Sequence, residues 1–299
     1  MELATAWAAP NCKDGIGPAT QHTANTVPRS LLSLSHPRLL RSLVLIDPVI
    51  QVPSASVSPA TASTPRRDIW PSRDAAAEKF RATKFYQAWD PRVLDRWVQY
   101  GLRPVPTELY PAAQDDATAP DERVTLTTSK HQELFTFIRP TYRGVPGETF
   151  TDRDPIADEE YPGWPFYRPE PIKVFRQLPE LRPSVLYIFG SQSELSTPTL
   201  RREKMERTGT GFGGSGGAGA GRVSEVLLDC GHLVAMERVT QCADAIAAHL
   251  AAEVARWRRE KDEYEEYWRG KTRREQMTID EQWAARVRPS VRKTGHVKL

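Results

Sequence analysis

A chain of 299 residues has room for one large domain or two small ones, and its 39% hydrophobic content with 25 prolines predicts a core beside extended, looped stretches. The 41 basic and 38 acidic residues leave a net charge of +3, without the concentrated basic field that nucleic acid or an acidic membrane surface requires. Cys12, Cys230 and Cys242 are an odd number without ligand spacing, which argues against a disulfide framework or a zinc site and for a reducing compartment.

Residues 1–29 are predicted to be irregular, broken by Pro10, Gly15, Gly17, Pro18 and Pro28; Glu2 stands where a signal peptide would be basic. Leucines 31, 32, 34, 39 and 40 predict a short helix closed by His36-Pro37, and Leu43-Val44-Leu45-Ile46 reads as a strand buried on both faces, stopped by Asp47-Pro48. Residues 51–72, rich in Ser, Pro, Ala and Thr, predict a surface loop. One helix is expected from Arg73 to about Tyr100, a proline-broken connector over 101–125, a helix over 128–138 and an aromatic, proline-rich loop over 139–171, with no strand among them. Strands return at Ser184 to Gly190 and Arg222 to Asp229, separated by a helix from Pro198 to Arg207 and a glycine-rich stretch over 208–221 taken as a flexible loop. Strand, helix, strand at this spacing predicts a parallel sheet. A long helix runs from Gln241 to Gly270, its charged face solvated, and Thr278 with Glu281 reads as a capping box for a last short helix. No run of eighteen apolar residues occurs, so no membrane span is predicted.

The chemistry-bearing block is Leu227-Leu228-Asp229-Cys230-Gly231-His232-Leu233-Val234. A histidine after a glycine turn at the end of a buried strand stands on the edge where parallel sheets hold ligands, and can there pass a proton between nucleophile and leaving group. Equally, it can be a histidine satisfied within a strand-end turn.

Three blocks in order, HPRLLRSLVLIDPVI (36–50), VLYIFGSQSELSTP (185–198) and LLDCGHLVAMERV (227–239), resemble the sixth, seventh and eighth strands of the α/β-hydrolase fold and their exits. The resemblance is closest to the fungal branch of peroxisomal lipase-like and toxin-biosynthesis hydrolases, and covers roughly residues 20–50 and 180–290. It implies an α/β fold with the C-terminal strands of that sheet at 30–50 and 181–250, a lid inserted over 51–180, and a helical extension and tail over 251–299. It implies that His232 is the base. The acid is Asp47, after the sixth strand, or Glu194, beside the Ser193 that fills the usual aspartate position after the seventh; Asp47 is favoured. Asp47 can also simply cap the turn into Pro48.

The family's Gly-x-Ser-x-Gly elbow is not found. Counting thirteen residues back from His36 reaches Thr23 in Gln21-His22-Thr23-Ala24-Asn25, where both glycines are replaced and a β-branched residue fits a strained turn badly. The first five strands of the usual sheet are not recognised either, and an exposed sheet edge would call for a partner or self-association. Two functions follow. One is hydrolysis of an ester, thioester or similar acyl bond of a small hydrophobic substrate, without a cofactor, in fungal secondary metabolism; the other is a non-catalytic remnant that binds a ligand or partner. Val297-Lys298-Leu299 shares two residues with the Ser-Lys-Leu peroxisomal address, so the expected compartment is peroxisome or cytoplasm.

Overall fold

The structure is a computed structural model that describes residues 29–52, 57–112, 122–140 and 166–287. The chain divides into two units, Met1–Leu250 and Ala251–Leu299. The described residues of the first begin with a helix over residues 29–35 (α1) and strand β1, Ser42–Ile46. Then come α2 (Val57–Ser63), β2 (Ile69–Trp70), α3 (Arg73–Arg81), α4 (Lys84–Gln87), α5 (Pro91–Tyr100), β3 (Leu102–Pro104), β4 (Val124–Leu126), α6 (Lys130–Phe137), β5 (Arg139–Pro140) and β6 (Phe166–Tyr167). The unit closes through α7 (Glu170–Gln177), β7 (Ser184–Gly190), α8 (Pro198–Arg207), β8 (Val223–Leu228), α9 (Val234–Glu237) and the start of α10 (Val239–Arg269).

β1, β7 and β8 form one parallel sheet in that order, with Ser42 opposite Ser184 and Val185 opposite Val223. Successive side chains of a strand point to opposite faces. Leu43, Leu45, Val185, Tyr187 and Phe189 pack with Val174, Phe175 and Leu178, whereas Leu186 and Ile188 pack with Val234, Cys242 and Ile246. Each such buried side chain contributes about 1.5–3 kcal/mol. Both faces of β7 are covered and both its edges are paired, so all seven of its residues are buried. That is why its sequence is apolar without alternation. β8 has one strand neighbour among the described residues, and Ser224, Glu225 and Leu227 on it are exposed.

Between β1 and β7 the structure departs from the sequence expectation. The stretch at 51–72 contains α2 and β2, and the supposed strand-free middle contains a small antiparallel sheet, β2–β4–β3. Its strands are two or three residues long, too short to print a period of two on the sequence. Trp70, Leu102, Val124 and Leu126 of this sheet share a core with Phe80 and Leu94. The single helix expected from Arg73 to Tyr100 is three, the last starting at Pro91 behind the capping Asp90. This insertion is tied to the main unit where the Asp90 N–H donates to the Met236 carbonyl at 2.8 Å. An apolar pocket of about 270 Å³ lies between α2 and α6, lined by Ala60, Thr64, Leu134, Phe135 and Ile138.

The glycine-rich stretch after α8 is not a free loop. Gly209 and Gly211 donate their N–H groups to the Leu178 and Pro179 carbonyls at 2.9 and 2.8 Å, and Ser215 donates to Leu181 at 3.0 Å. A Cβ on Gly211 or Gly214 would run into Pro179, so the glycines serve close backbone packing.

In the second unit the rest of α10 is followed by α11 (Arg273–Met277) and α12 (Glu281–Arg286). The capping box forms from Thr272 and Glu275 and opens α11, whereas α12 is capped by Asp280. Thr278 does not cap, because its hydroxyl donates back to the Arg274 carbonyl at 2.9 Å. No described helix is long and apolar enough to cross a membrane. The N-terminal segment with Cys12 and Thr23, most of the aromatic loop over 139–171, and the tail with Lys298 and Leu299 lie outside the described residues.

Candidate active site

The carboxyl ends of β1, β7 and β8 converge on Asp47. This residue follows directly on β1 and still pairs with the sheet, its N–H donating to the Ile188 carbonyl at 2.8 Å. Its φ of 40° is in the left-handed region, which aspartate tolerates better than most residues at a modest strain.

His232 follows β8 through the turn at Cys230-Gly231, and its Nδ1 lies 2.7 Å from Asp47 Oδ2. The two strands are not neighbours, as a simple side-by-side arrangement would have it: β7 runs between them. Gly190, the last residue of β7, is what allows the reach. A Cβ there would stand 2.8 Å from the Cys230 carbonyl oxygen and well inside van der Waals contact with that of Gly231. A side chain at Gly190 would therefore push the histidine turn off the sheet. The turn is further fixed by the Gln192 N–H on the Cys230 carbonyl at 3.0 Å and by the Gly231 N–H on Glu237 Oε2 at 3.0 Å.

Asp47 has no solvent exposure, and a buried carboxylate must be satisfied by donors. Gly190 N–H donates to Oδ1 at 3.3 Å and Ser193 Oγ to Oδ2 at 2.5 Å; Ser196 Oγ also donates to Oδ1. With two hydroxyls, one amide and one imidazole nitrogen around it, the carboxylate is an acceptor throughout. That places the neutral imidazole's proton on Nδ1 and leaves the Nε2 lone pair available. Among the described residues Nε2 has no hydrogen-bond partner, and the side chain keeps 33% of its exposure. The arrangement can take a proton from a group approaching Nε2 and hold the resulting imidazolium against Asp47.

Of the two candidate acids, then, the structure joins Asp47 to His232, while Glu194 is exposed on the turn after β7. Thr23 lies outside the described residues. Ser193, which in the sequence fills the usual acid's place, donates instead to Asp47, the candidate acid from the other strand. Ser196 and Gly190 were not singled out at all; the Ser-x-x-Ser spacing right after a strand ending in glycine was the available signal.

Cys230 and Cys242 belong to the apolar layer beneath this edge. Burial, with Glu237 adding to it, pushes the Cys230 thiol up to about 11; burial pushes Cys242 to about 12. Only a thiolate attacks readily. Treatment of the folded protein with a thiol-exchange reagent at pH 8 is therefore expected to leave both unmodified by peptide mapping until denaturant is added. Rapid labelling of either in the native protein would contradict this packing.

No protein-family profile matches the chain. It is 35% identical, over a 285-residue alignment, to the type I acyl-CoA thioesterase mpaH of Penicillium roqueforti, covering 86% of this chain and 63% of that protein. The chain thus spans less than two thirds of that relative's length. It is 26% identical over 220 residues to the abhydrolase domain-containing protein ACTT2-1 of Alternaria alternata, covering 72% of this chain and 76% of that protein. Among solved structures, the peroxisomal alpha-beta-hydrolase Lpx1 of Saccharomyces cerevisiae superposes with a TM-score of 0.50 at 11% identity, over 78% of this chain and 53% of that one. The parallel sheet, the blocks that build its edge and these likenesses agree: the chain has the α/β-hydrolase fold.

Proposed function

We propose that the chain supplies the proton-transfer half of an acyl-thioester hydrolase, with His232 as base and Asp47 as its orienting acid. The observation that carries this reading is the 2.7 Å bond between His232 Nδ1 and a fully buried Asp47, with Nε2 left open at the sheet edge. In such a pair Nε2 takes the proton of a nucleophile attacking the acyl carbonyl, and the imidazolium returns it to the departing thiolate. Thioester is the favoured bond because the 35% identical relative is named for acyl-CoA thioester cleavage. The setting proposed is fungal secondary metabolism, and the substrate a small hydrophobic acyl group. Residues 51–180 act as the lid, an assignment supported by the anchoring of α5 to the segment after His232. Self-association through the outer edge of β1 belongs to the same reading, supported by a strand edge that no described strand takes up.

The test is coenzyme A release from a panel of acyl-CoA thioesters of graded chain length, run beside nitrophenyl esters. Wild type is expected to turn over at least one thioester, and His232→Ala to fall to the buffer rate. Equal rates for the two proteins across the panel would sink the hydrolase reading; thioester binding without turnover would favour the ligand-binding alternative.

A further inference from the structure

We propose that Lys204 is a positioning residue for the His232–Asp47 pair, acting through the Ser193–Thr197 turn that grips Asp47. This rests on the proton-transfer reading of that pair. Lys204 lies on α8 and has no solvent exposure, although lysine is among the residues least often fully buried. A methionine or leucine would fill the space without the cost of desolvating an ammonium, so the charge needs a reason to be there. Its surroundings supply one. Nζ donates to the Leu195 carbonyl at 3.1 Å and stands 5.9 Å from the centre of the Phe189 ring on β7.

That carbonyl belongs to the peptide unit leading into Ser196, whose hydroxyl donates to Asp47 Oδ1. On the other side, the Leu195 N–H donates to Ser193 Oγ at 3.2 Å, orienting the hydroxyl that donates to Asp47 Oδ2. Fixing Leu195 from below thus fixes both hydroxyls above. The charges agree with this geometry. Burial lowers the Lys204 ammonium to about 8, while the negative charges of Asp47 and Glu203 oppose the fall, so it stays largely protonated at neutral pH.

The test substitutes Lys204→Met, close in volume and at ease when buried. The readout is the downfield proton resonance of His232 Nδ1–H, assigned by its disappearance in His232→Ala. The variant is expected to melt within a few degrees of wild type. The resonance should move upfield by about 1 ppm or broaden away, and kcat for the thioester should fall about 10- to 100-fold at unchanged KM, as for partners that orient a reactive ligand. A residue that merely packs would alter melting and leave the resonance alone. A folded Lys204→Met with an unmoved resonance overturns the proposal. The resonance does not require turnover, so an inactive wild type would defeat the hydrolase reading and leave this test intact. Should Lys204→Met not fold, NMR titration of the Lys204 ammonium in wild type and in Asp47→Asn decides: the substitution must lower the midpoint from its wild-type value, because it removes the negative charge that opposes the effect of burial, and an unchanged midpoint overturns the proposal.

Discussion

On the proposed hydrolase reading, Asp47→Asn is expected to reduce kcat for thioester hydrolysis by about 10⁴-fold while the chain remains folded. The amide is nearly isosteric with the carboxylate, and its oxygen can still accept the Gly190 N–H that now donates at 3.3 Å. The other end changes sign. In place of Oδ2, which takes up the Nδ1 proton at 2.7 Å, the variant presents an NH₂ donor. The imidazole then relieves the clash of two donors by carrying its proton on Nε2, the nitrogen proposed to act as base. Ser193 can rotate its hydroxyl to accept from the amide, so the loss in stability is held to about 1–3 kcal/mol. Steady-state kinetics beside a melting curve check both halves. Activity within tenfold of wild type would show that Asp47 does not set the tautomer.

Gly190→Ala has the largest expected structural effect of any single methyl addition at this edge. The new Cβ would meet the carbonyls of Gly231 and Cys230, which are backbone atoms and cannot swing aside as a side-chain tip could. β7 cannot retreat either, since it is paired on both edges and buried along its whole length. The turn carrying His232 must therefore lift. Overpacking in a tight core costs about 1–3 kcal/mol, and a clash with fixed backbone on a central strand belongs at or above the top of that range. Denaturant unfolding is expected to show at least about 3 kcal/mol of destabilisation, with the His232 Nδ1–H resonance lost in whatever remains folded. A variant as stable as wild type would mean that the approach of β7 to this turn is looser than its geometry states.

Much of this was legible in the chain, and the reason is local. SVLYIFG and LVLI announce strands because burial, complete along the first and partial at Val44 and Ile46 of the second, leaves them almost without polar residues. Gly231-His232 and Asp47-Pro48 announce strand exits because a turn needs a glycine or is fixed by a proline. What was not legible depends on the third dimension. Ser193 and Ser196 look like turn residues until Asp47 arrives from a strand more than a hundred residues earlier. Lys204 reads as one charge among Arg201, Arg202, Glu203 and Glu206, with nothing in a mixed helix to say which one faces inward. The short strands of the insertion left no periodic trace, and the glycines after α8 suggested slack where they in fact permit docking.

The order of the parallel sheet also bears on how the protein comes into being. Asp47 and His232 are 185 residues apart in sequence, and β1 obtains its described strand partner only when the chain has been made through β7. Pairings of such long range close large loops before they are rewarded, which slows folding. Throughout translation of the insertion, Leu43, Val44, Leu45 and Ile46 wait as an apolar strip without that partner, a hazard for aggregation that a ribosome-associated chaperone would relieve.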